Sequence, residues 1–105
     1  MRKIVRTKEF NFFIDLIDCN DCSIFEISAI CILDNTKSCI TNHNFIISEL
    51  LNRYIKTNDF ESSIEINKSV GIKIYDKAIK AFNDAEWLNL LNKELYNDRD
   101  AGEWS

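Results

Sequence analysis

The chain has 105 residues, with 13 Lys and Arg against 17 Asp and Glu, four Cys, two Gly and no Pro; its formal charge is −4 and its mean hydropathy −0.21. A chain of this size removes about two thirds of its extended surface from water, so with 46% apolar residues one globular domain over 1–105 is expected without disulfides. The scarcity of Gly and Pro excludes a turn-rich sandwich, and neither a spanning apolar run nor an apolar signal core behind Arg2 and Lys3 is present, so a cytoplasmic protein away from membranes is expected.

Along the chain, residues 1–8 hold Arg2, Lys3, Arg6 and Lys8 and no acid. In residues 8–18, Phe10, Phe13, Ile14 and Ile17 recur at i, i+3, i+4, i+7 opposite Lys8, Asn11, Asp15 and Asp18, with Thr7 placed to cap; this predicts a helix. Residues 24–33 are apolar nearly all round. Their odd positions, Phe25, Ile27, Ala29, Cys31 and Leu33, suit one strand face, but Ser23 and Glu26 have the form of a capping box and favour a buried helix.

Residues 45–56 place Ile47, Leu50, Leu51 and Tyr54 on one stripe, Glu49 and Arg53 as an i, i+4 ion pair on the other side, and Asn44 at the cap. Two further helices are predicted. Over 72–82, Tyr75, Ala78, Ile79 and Phe82 oppose Lys73, Asp76, Lys77 and Lys80; over 85–96, Trp87, Leu88, Leu91 and Leu95 oppose Glu86, Asn89 and Lys93, with the break at Asn83 and Asp84. In residues 60–75, Ile64, Ile66, Ile72 and Ile74 alternate with polar residues around Gly71, the pattern of a hairpin. The expected fold is all-α, a domain of about five short helices; the alternative is α+β with a small hairpin near residues 62–75.

Charge is distributed unevenly. From Glu9 to Thr36 there are six acids, Glu9, Asp15, Asp18, Asp21, Glu26 and Asp34, and no Lys or Arg, and acids again outnumber bases beyond Asp84. Nucleic-acid binders gain affinity from clustered Lys and Arg, so this chain has the wrong sign for a phosphate backbone and the right sign for a basic protein. A helix-turn-helix built from 24–33 and 45–56 has too long a linker and no base-reading Arg or Lys over Phe45 to Asn52.

Cys19-Asn-Asp-Cys22 and Cys39-x3-His43 have the ligand types of a zinc site, two thiolates then a thiolate and an imidazole. The acids Asp18 and Asp21 beside the first pair, the absence of a knuckle glycine and the apolar segment between the halves argue for reduced structural thiols instead, so no metal is expected. The same acids disfavour a reactive thiolate, and no phosphate loop, zinc helix or nucleophile elbow is present, so neither a catalytic residue nor a cofactor is expected.

A small acidic chain without catalytic groups fits a stoichiometric inhibitor. The expected function is a bacterial immunity protein or antitoxin that neutralises a toxin, foremost a nuclease, by direct contact, with Asp15, Asp18, Asp21, Glu26, Glu103 and Trp104 at the interface. The 16 Ile and 12 Asn match an A+T-rich bacterial or phage gene, which makes a phage-encoded inhibitor of a defence nuclease the alternative. A zinc-stabilised regulatory or nucleic-acid-binding module is the third reading.

Overall fold

The computed structural model describes residues 1–32 and 43–101. The elements are β1 (Arg2–Arg6), β2 (Phe10–Asp18), β3 (Ser23–Cys31), α1 (His43–Ile55), β4 (Ser63–Ile66), α2 (Lys68–Phe82) and α3 (Ala85–Ala101). The strands form one antiparallel sheet in the order β1-β2-β3-β4. The fold is therefore α+β, which corrects the all-α expectation.

The two segments that looked helical, 8–18 and 24–33, contribute the two central strands, β2 and β3, with residue 33 outside the described residues. A helix over 8–18 would bury Phe10, Phe13, Ile14 and Ile17 and leave Phe12 and Leu16 in water. As a strand, alternate residues Phe10, Phe12, Ile14 and Leu16 all enter the core. Their cross-strand partners on β3 include Ala29 opposite Phe12, Ile27 opposite Ile14 and Phe25 opposite Leu16, so one pleated surface carries the whole set. Ser23 and Glu26 form no capping box; the Ser23 hydroxyl donates to Asp18 Oδ1 at 3.3 Å across the β2–β3 turn.

The hairpin near 62–75 is also corrected. Its first half is a single strand, β4, which pairs with β3 and places Ile64 and Ile66 opposite Phe25 and Ser23. Its second half is the start of α2, where the Asn67 side chain accepts from the Ser69 N–H at 3.0 Å and caps the helix.

Helices α1 and α2 lie on one face of the sheet, and α3 packs on both of them. Gly71 brings α2 down between the strands: a Cβ there would fall 3.2 Å from Ser23 Cβ and 3.3 Å from Leu16 Cδ1 and Ile66 Cδ1. The layers are joined by aromatic contacts, Phe12 to Phe82 at 5.4 Å and Phe82 edge-on to Trp87 at 4.5 Å. Leu91 and Leu95 of α3, Ile47 and Leu51 of α1 and Ala78 of α2 complete the same core. The Thr7 hydroxyl, in the β1–β2 turn, donates to Asn92 Oδ1 of α3 at 3.0 Å.

The three helical stripes read from sequence occupy this core, except that Tyr54 is exposed. Asn44 does not cap α1; its side-chain oxygen accepts from the Ala29 N–H at 3.2 Å, closing part of the β3 edge that β4 leaves open. Helix α1 ends at Lys56, whose φ of 62° is left-handed, and the Thr57 N–H reaches back to the Asn52 carbonyl at 3.0 Å, the terminator geometry usually filled by glycine. The strap into β4 is held by Asn52, whose amide N–H donates to the Phe60 carbonyl at 2.7 Å while its oxygen accepts from the Phe60 N–H at 2.9 Å.

Candidate functional site

With every described helix that touches the sheet on one side, the other face carries the alternate residues of each strand: Ile4 on β1, Phe13 and Ile17 on β2, Ile24 and Ile30 on β3. Ile17 and Ile30 are 43% and 50% exposed. The register sets the polar residues among them in rows. Arg2, Asp15, Glu26 and Ser63 cross the sheet in one row, and Ile17, Ile24 and Glu65 in the next.

The face is electrostatically divided. On the β1 side Arg2 grips Asp15 with both oxygens engaged, Nε to Oδ1 at 2.8 Å and Nη2 to Oδ2 at 3.0 Å, while its guanidinium lies 5.2 Å from the centre of the Phe13 ring. On the β4 side, Glu26 and Glu65 flank Ile17 and Ile24, and Asp21 stands exposed in the turn at the end of the same strands.

This geometry sorts the acids named from sequence. Asp15 is only 8% exposed, and both of its carboxylate oxygens are engaged by Arg2. Asp18 sits exposed at the strand end beside Ser23 and Asp21 exposed in the turn, while Glu26 is half-buried on the face away from the described helices. Glu103 and Trp104 lie outside the described residues. Glu65 joins the site without having been singled out, although the alternation of Ser63-Ile-Glu-Ile66 carried the signal.

Cys19 and Cys22 are free thiols facing each other across the turn, where the Cys19 N–H donates to the Cys22 carbonyl at 2.9 Å. The Cys22 thiol titrates above its ordinary range, first because of burial, then because of its contact with the Cys19 thiol and the negative charges of Glu65 and Asp21. Cys39 and the side chain of His43 lie outside the described positions, and among those described no three His, Cys, Asp or Glu gather as a metal site. No helix among the described residues is long and apolar enough to cross a membrane.

A groove opens beside β4, next to α1. It has a volume of about 360 Å³ and lies between α1 and the strap into β4, lined by Phe45, Ser48, Glu49, Asn52, Glu61 and Ser63 among others. Ser63 pairs with Glu26, so the groove adjoins the acidic half of the sheet face. A second hollow, of about 250 Å³ between α1 and α2, is lined by Lys77 and Lys80 and is of opposite sign. Comparison with protein-family models, with curated proteins and with solved structures found no match for the chain.

Proposed function

We propose that this chain is a stoichiometric inhibitor of the immunity-protein or antitoxin kind, which neutralises a basic toxin domain, foremost a nuclease, by covering it with the uncovered sheet face. The observation that carries this reading is the combination on one rigid surface of Ile17 and Ile24 with Asp21, Glu26 and Glu65 around them. An apolar centre with a charged rim is the anatomy of a protein interface, and the acids gathered at the β4 end of this one, away from Arg2, steer association with a basic partner. Between Glu9 and Ile32 no Lys or Arg dilutes the negative charge. Strands hold Ile17, Ile24, Glu26 and Glu65 more firmly than loops would, which lowers the entropy lost on docking.

The test is co-expression with basic nuclease toxin domains, beginning with the product of the neighbouring gene, followed by association kinetics at two ionic strengths. Wild type should restore growth and bind faster at low salt. Reversal of Glu26 and Glu65 to Lys should slow association at least tenfold and abolish protection with unchanged circular dichroism. Equal protection by the reversed protein would overturn the assignment to this face. Asp15 is unsuitable for reversal because its loss would strip Arg2 of its partner.

A further inference from the structure

We propose that the groove between α1 and the strap into β4 is a receptor for a single arginine side chain presented by the partner. The proposal rests on the reading that the partner is basic, and it assigns the residue type and the place where that residue is held.

The groove's volume of about 360 Å³ is at the small end of the roughly 300–1,000 Å³ typical of ligand pockets, which suits one side chain. Two of its neutral polar side chains, Ser48 and Asn52, are already committed to the fold, and the hydroxyls of Ser62 and Ser63 remain beside them. The Ser48 hydroxyl donates to the Asn44 carbonyl at 3.1 Å, and the Asn52 amide is occupied at both ends by Phe60. The carboxylates of Glu49 and Glu61 are the charged groups of the lining, and they set the sign of what the groove attracts.

Glu61 makes no ion pair among the described residues, and Glu49 meets only Arg53, at 3.3 Å in an exposed pair of the kind that exchanges readily. Beside them stands Phe45, a large aromatic ring on the first turn of α1 left 66% exposed. Two carboxylates and an aromatic wall select a flat, delocalised cation. A guanidinium can lie against the ring while its edge forks onto a carboxylate, whereas an ammonium is a compact, strongly hydrated charge that loses more on leaving water. Ser63 ties the groove to Glu26 on the sheet, so a partner seated on that face is positioned to extend one arginine around the β4 edge.

The test uses the full chain, isotopically labelled, titrated by NMR with acetyl-Gly-Arg-Gly-amide and with the matching lysine and citrulline peptides. The arginine peptide should give saturable shifts at the amides of Phe45 to Asn52 and Glu61 to Ser63. The lysine peptide should bind at least fivefold more weakly and the uncharged citrulline peptide not measurably. Phe45→Ala and Glu61→Gln should each weaken arginine binding at least threefold, with the spectrum otherwise unchanged. Shifts that do not saturate, that map elsewhere, or that are equal for arginine and lysine would overturn the proposal. No toxin enters this titration, so loss of the groove leaves the sheet-face reading standing. Failure of the Glu26 and Glu65 reversal with intact peptide binding would sink the sheet face and leave the groove.

Discussion

Gly71 of α2 lies directly against Ser23 of β3, with 3.2 Å between the serine Cβ and the position a glycine Cβ would take. Helix propensity favours Ala over Gly here by about 1 kcal/mol, while crowding against Ser23, Leu16 and Ile66 opposes it, so Gly71→Ala should change stability little. Gly71→Val adds methyl groups with no room beside a buried serine and should cost about 1–3 kcal/mol. Urea denaturation of the two variants checks the contrast, and a Val variant as stable as the Ala variant would contradict the close approach.

The Asn52 amide replaces a strand partner for Phe60, a residue almost wholly buried. Asn52→Ala leaves a backbone donor and acceptor without partners and should cost about 1–3 kcal/mol. Asn52→Asp keeps the acceptor and loses the donor, so it should fall between the two. Hydrogen exchange at the Phe60 amide should accelerate in the Ala variant before exchange in β2 does.

Tyr54 and Asp84 couple α1 to the cap of α3. The hydrogen bond from the Tyr54 hydroxyl holds the Asp84 carboxyl below its ordinary range, assisted by the backbone N–H groups of Glu86 and Trp87. Because the folded value is depressed, the stabilisation is present above the usual carboxylate range and is lost as pH falls through the folded value. The same bond, with some burial, raises Tyr54, so its contribution holds below the ordinary tyrosine range and fades as pH rises through the raised value. Tyr54→Phe should therefore destabilise most near neutrality, and its difference from wild type should shrink in both acid and alkali. Denaturation measured across pH checks this, and a pH-independent difference would contradict the coupling.

Lys56 occupies a left-handed position at the end of α1. A non-glycine residue there costs about 1–2 kcal/mol, of which the flexibility of unfolded glycine offsets about 0.5–1 kcal/mol, so Lys56→Gly should stabilise by about 0.5–1 kcal/mol. Thermal denaturation should show a higher midpoint with unchanged helix content.

The helices were legible because their polar faces are distinct. In the second half of α2, Asp76, Lys77 and Lys80 set off Tyr75, Ala78 and Phe82, whereas in its first half Ile72 and Ile74 alternate as a strand would and conceal the helix start at Lys68. Strand β2 was not, because Phe12 and Phe13 are adjacent aromatics: Phe13 serves a period of 3.6 as well as Phe12 serves a period of two. Only the presence of β1 and β3 on either side decides between them, and that is tertiary information. Strand β1 escaped notice because just two of its five residues, Ile4 and Val5, are apolar.

The candidate site was legible in its sign and not in its membership. The acids of 9–32 could be counted, but the pairing that lets Arg2 consume Asp15 depends on a register set 13 residues away in the chain. Glu65 became a neighbour of Ile17 and Ile24 only through the pairing of β4 with β3.

The order in which the sheet is assembled exposes the two long edges unequally. β1 to β3 are joined by the short segments 7–9 and 19–22, so their pairing is local and fast, whereas β4 reaches β3 only after residues 32–62. The β1 edge carries Arg2, Lys3 and Arg6, charges that discourage another strand from the moment it forms. β3, Ser-Ile-Phe-Glu-Ile-Ser-Ala-Ile-Cys, has one charge and no Pro or Gly, and its protection comes from β4, from the Ser62 carbonyl on the Ile27 N–H and from the Asn44 amide. A chain emerging from the ribosome therefore carries an unguarded apolar template until residue 66 is free, and misassembly at high expression should begin by β3 of one chain pairing with β3 of another.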